Sequence, residues 1–146
     1  MQVNYEHYCK KFKETKALVT ERQIEVAMSA SDINTKNLRE ELEKNSPEFR
    51  KFVHNVAKQI INPISNTTYA AVVAHICENL GMDYRPMTGL ALPSTVNNFE
   101  YQKASAEKTG DNYVCNHVYL IVNGKYYEYF NGETTNICHI KEKEMC

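Results

Sequence analysis

Asn66-Thr67-Thr68-Tyr69-Ala70-Ala71-Val72-Val73-Ala74-His75-Ile76-Cys77-Glu78-Asn79-Leu80-Gly81 is the stretch on which the rest of the chain turns. Tyr69, Val72, Val73, Ile76 and Leu80 recur at helical spacing, and nearly every other side is apolar or small, which predicts a central, buried helix. Asn66 or Thr67 caps its start, since a short polar side chain satisfies the first free amides, and Gly81 closes its end.

Upstream the chain reads as helical and charged. Tyr8, Phe12, Leu18 and Ile24 recur among Lys and Glu from Tyr5 to about Met28, as one long amphipathic helix or two short ones. A break at residues 31–35 leads, through Asn34 or Thr35 as cap, to a short helix around Leu38 to Leu42. Ser46-Pro47-Glu48 then gives an N-cap, a proline at the first helical position and an acid in the first turn, ahead of Phe49, Phe52, Val53, Val56, Ile60 and Ile61. Asn62-Pro63 ends that helix.

Downstream the pattern changes to strands. Residues 84–92 form a first strand, and residues 94–112 are polar and read as a long excursion. Residues 114–122, the turn Asn123-Gly124 and residues 125–130 form a tight hairpin. A last strand spans residues 135–140, leaving the charged residues 141–144 as a solvated tail. Helices first and sheet later is the α+β order, with the central helix packed on a small antiparallel sheet. At 146 residues the chain is expected to be a single domain, 1–146, with a helical part at 1–62 and a helix-plus-sheet core at 63–140.

The formal net charge of -1, from 17 basic and 18 acidic side chains, sets up no field that would collect nucleic acid or a membrane surface. No run approaches the ~20 apolar residues that span a bilayer, and no signal-peptide pattern opens the chain, so a soluble, cytoplasmic protein is expected. Five cysteines at irregular spacing read as free thiols in a reducing compartment, with Cys77 a small buried hydrophobe.

Asn66-Thr-Thr-Tyr-Ala, then Gly81-x-x-x-Arg85 with Gly89 four residues on, and then His117-Val-Tyr with Asn123-Gly124-Lys125-Tyr126-Tyr127 together resemble the transglutaminase-like (papain-like) superfamily. The resemblance runs from Asn66 to about Asn131. It implies a site in which a thiol at a helix N-terminus is activated by the helix dipole and an imidazole, itself oriented by a carboxylate or amide. Residue by residue, it places Asn66 on the nucleophile, His117 on the base and Phe130 on the acid. Asn66 is not a nucleophile and Phe130 accepts no hydrogen bond. The expectation is therefore a catalytically degenerate protein that binds a protein or peptide partner through the former active-site cleft, with no cofactor and no metal.

Several residues keep other readings open. Asn131 supplies an orienting amide if a bulge shifts its strand. Glu128 reads first as a solvent-facing strand residue and second, from the face of Phe130, as a stand-in for the missing acid. Cys115, two residues before His117 and on the same strand face, is a relocated nucleophile in the alternative reading of an active cysteine-type amide hydrolase or acyl transferase. Thr67 or Thr68 is a further candidate nucleophile. Cys115, His117, Cys138 and His139 form a possible zinc set, against which stands their spacing, with Cys138 and His139 pointing apart on a strand. Tyr113, Tyr119, Tyr126, Tyr127 and Tyr129 read first as cross-strand packing and second as an aromatic contact surface.

Overall fold

The computed structural model describes residues 4–109, 115–130 and 137–146, except for the side chains of Thr109 and Cys115. The charged N-terminal stretch forms two helices rather than one, α1 (Tyr5–Lys16) and α2 (Glu21–Ser29). The second starts at Thr20, whose hydroxyl accepts the backbone N–H of Gln23 while the Gln23 side chain accepts the backbone N–H of Thr20. This reciprocal cap satisfies two amides that a continuous helix would have used internally. α3 (Leu38–Lys44) follows, then α4 (Pro47–Lys58), capped by Ser46 as its sequence predicts.

α5 (Asn66–Asn79) is the central helix, and ten of its residues are buried. Its cap is Ser65, not Asn66 or Thr67: the Ser65 backbone is extended, and its Oγ accepts the Thr68 N–H at 3.1 Å. Asn66 is already helical, so its amide does not fold back over the helix end; it accepts the Thr67 hydroxyl instead.

The sheet comprises β1 (Arg85–Pro93), β2 (Cys115–Val122), β3 (Lys125–Tyr127) and β4 (Ile137–Glu144), antiparallel in the order β3-β2-β1-β4. Between β1 and β2, where a loop was expected, lies α6 (Phe99–Thr109). Phe99 and Ala106 pack on Leu90, Leu92 and Ile140, a contact made only once the sheet exists, which is why the polar sequence conceals it. β4 also runs further than expected: Lys143 pairs with Thr88 and Glu144 with Met87, while the charged side chains of residues 141–144 stay exposed. Its register shifts between Thr88 and Leu90. At that point a Cβ on Gly89 would stand 2.9 Å from the Ile140 carbonyl oxygen, so the close approach of the two strands requires glycine.

The main core joins the helices to one face of the sheet. Phe49, Phe52, Val53 and Val56 of α4 and the buried side of α5 pack with Val118, Leu120 and Val122 of β2. Among the described residues, no helix is long and apolar enough to cross a membrane.

Two cysteines depart from the free-thiol expectation. Cys9 of α1 and Cys146 are joined in a disulfide across 137 residues. Their spacing carries no signal, because the pairing of β4 with β1 is what brings the chain end to α1. The Tyr5 hydroxyl, donating to the Lys141 carbonyl at 2.9 Å, ties the same two segments. Cys77 is fully buried, as expected.

Candidate functional site

Alternation along β2 separates two environments. Val118, Leu120 and Val122 enter the core with α5, so His117 and Tyr119 point to the opposite face of the sheet. There the rings form a continuous layer. His117 stacks on Tyr119 at 5.2 Å, Tyr119 on Tyr126 at 5.5 Å, and His139 lies 4.7 Å from Tyr119 and 4.4 Å from Tyr126.

His117 and His139 stand on β2 and β4, with β1 between them. The β1 residues opposite them are Gly89 and Ala91, so nothing larger than a methyl group rises from the intervening strand. Glu128, just beyond β3, completes the group. Its Oε1 lies 2.7 Å from His117 Nε2 and 2.8 Å from His139 Nε2. The His117 side chain is fully buried, and those of Glu128 and His139 are 14% and 13% exposed.

Burial pushes the Glu128 carboxyl up, but the hydrogen bonds from the two imidazoles outweigh it and hold the group at about 2. The carboxylate is thus charged, and one oxygen accepts from both histidines. Each ring then donates from Nε2, and in a neutral imidazole that leaves Nδ1 as an acceptor. For His117 that Nδ1 is buried and, among the described residues, has no hydrogen-bond partner. The edge of Phe130 closes over the same ring at 5.3 Å.

A second polar group adjoins the first. Glu142 accepts hydrogen bonds from the hydroxyls of Tyr119 and Tyr126. Burial first, and then Glu142, raise the Tyr119 phenol well above its ordinary range, so it remains a proton donor.

Of the residues singled out from sequence, His117 lies at the centre, but its companions differ from those expected. The carboxylate that orients it is Glu128, and Phe130 is a ring contact rather than the position of a lost acid. Asn131 lies outside the described residues. Cys115 opens β2 opposite Ala91, and its side chain also lies outside them. Asn66 heads α5, whereas His117 faces away from that helix. Among the described residues, the partners of its ring are Glu128, Tyr119, Phe130 and His139, none of them on α5.

The cysteine-containing zinc set does not assemble either: Cys138 packs with Leu90 and Leu92 under α6, and His139 points the other way. The link from Glu128 to His139 was missed. The hairpin register signals only the His117 side of the group, because Tyr127 pairs with Leu120 and the next residue therefore falls on the face of Tyr119 and His117.

Comparisons with protein-family models, with curated proteins and with solved structures find no match to this chain.

Proposed function

We propose that this chain is a binding protein in which the head of α5 and His117 do not make up the thiol site of the transglutaminase-like plan. It engages a protein or peptide partner through the sheet face around His117 rather than through a cleft at the head of α5. The observation that carries this reading is the commitment of His117 Nε2 to Glu128 on the face turned away from α5. The head of α5 offers an amide and hydroxyls already engaged with one another: Ser65 Oγ lies 2.8 Å from Thr68 Oγ1, and Thr67 Oγ1 donates to Asn66 Oδ1. A threonine nucleophile needs an adjacent base, and the imidazole is turned elsewhere. The aromatic layer supplies the alternative surface, with Tyr126 37% exposed at its edge.

The test is Asn66→Cys. The new thiol is expected to react with iodoacetamide no faster than Cys138 and to bring no amide or ester turnover. A fast-reacting thiol silenced by His117→Ala would contradict the reading. Peptides selected on the immobilised chain should bind saturably and lose roughly tenfold or more in affinity with Tyr126→Ala. Peptides indifferent to Tyr126 would remove the sheet face from the proposal.

A second reading, an active enzyme using Cys115 and His117, is favoured by one feature. An imidazole oriented by a carboxylate, with its other nitrogen unpartnered among the described residues, is the arrangement of a general base. Covalent trapping of Cys115 by an acylating probe, abolished by His117→Ala, is its discriminating result.

A further inference from the structure

We propose that His117, Glu128 and His139 form a binding site for a divalent transition-metal ion of the zinc class, with at least one coordination position left open. This goes beyond the partner-binding reading and stands without it.

The donor atoms, one from each side chain, all lie within 4.8 Å of one another. Nitrogen and carboxylate ligands bind zinc at about 2.0–2.2 Å, so donors around one tetrahedral ion lie roughly 3.3–3.6 Å apart. The separations of 2.7 and 2.8 Å between the histidine nitrogens and Glu128 Oε1 are shorter than that spacing. Replacing two hydrogen bonds by coordination thus needs the cluster to open by roughly half an ångström or more.

Three features set this group apart from an ordinary ion pair. The ligands come from three separate segments, β2, β4 and the residue following β3, and they meet above Gly89 and Ala91. The protein's own atoms do not saturate the cluster, since both histidines converge on a single carboxylate oxygen. The ligand chemistry is also specific, because two imidazoles and one carboxylate form the three-ligand set that leaves room for a water or substrate oxygen.

Binding shifts each imidazole proton from Nε2 to Nδ1, and the two Nε2 lone pairs then face the ion. Glu128 contributes one negative charge, so the centre with a divalent ion carries one net positive charge, suited to an anionic or polarisable oxygen in the open position. Tyr119 and Phe130 pack on the His117 ring, and Tyr126 on the His139 ring.

The experiment titrates the chelator-treated, folded chain, its disulfide intact, with Zn2+ against a chromophoric competitor, and with Co2+ followed by visible absorption. Expected is one Zn2+ per chain, and a Co2+ spectrum typical of four or five ligands. Affinity should fall roughly a hundredfold in Glu128→Gln and in His139→Ala. Both are partly exposed positions, so circular dichroism can verify that each variant folds. Nitrogen NMR of the imidazoles should report the proton shift on both histidines when Zn2+ is added. The proposal is overturned by a folded chain that binds no stoichiometric Zn2+, by binding that both variants retain, or by binding lost in Cys138→Ser and kept in His139→Ala.

Discussion

Cys77 and Cys138 show how placement decides the chemistry of one residue type. Burial pushes the Cys77 thiol up to about 12, and the side chain is fully enclosed by the core. At pH 8 only about one molecule in ten thousand carries its thiolate, the reactive form. Alkylation followed by mass spectrometry should therefore find Cys138, which is partly exposed, modified well before Cys77. Equal rates would mean that α5 is not buried as described. At the site, Glu128→Ala leaves two imidazole N–H groups without an acceptor in a largely enclosed place, and denaturant unfolding should show a loss of about 1–3 kcal/mol. His117 was legible in the sequence because it sits on a strand that begins a marked hairpin. Glu128 was read only as a second choice for the acid, and its link to His139 not at all, since joining Glu128 to His139 requires the sheet order, which no local pattern carries.

At the scale of elements, caps and periodicity were the readable part. Ser46-Pro47 and the apolar run of α5 correctly located two helices, and Asn123-Gly124 located the hairpin. The start of α5 was misread by one residue because Ser65, Asn66 and Thr67 are all acceptable caps. Thermal or denaturant unfolding separates them: Ser65→Ala should cost about 1 kcal/mol, and Asn66→Ala only a few tenths. The reverse ranking would restore Asn66 as the cap. α6 was not legible, because its few apolar residues gain meaning only against Leu90, Leu92 and Ile140. Gly89→Ala probes the β1–β4 contact. Its new methyl group meets backbone rather than a movable side chain, so a destabilisation of roughly 1–3 kcal/mol is expected.

For the whole molecule, the α+β order was legible from composition alone, and the two-faced character of the sheet was not. One face is occupied by helices, while the other gathers His117, His139, Glu128, Tyr119, Tyr126 and Glu142. The ends of the chain are joined through Cys9 and Cys146, a crosslink that closes nearly the full length. Reduction should lower stability by about 2–4 kcal/mol in denaturant unfolding while leaving the helical circular dichroism in place. No loss on reduction would mean that the packing of α1 and β4 holds the ends together unaided. The convergence of two histidines on one carboxylate is the feature on which the site centred on His117 depends. It is tested most directly by long-range proton–nitrogen NMR of the imidazoles in the metal-free chain. The predicted result is that His117 and His139 both carry their proton on Nε2, and that Glu128→Gln shifts the signals of both rings. A His117 protonated on Nδ1, or a His139 signal indifferent to Glu128→Gln, would contradict the account.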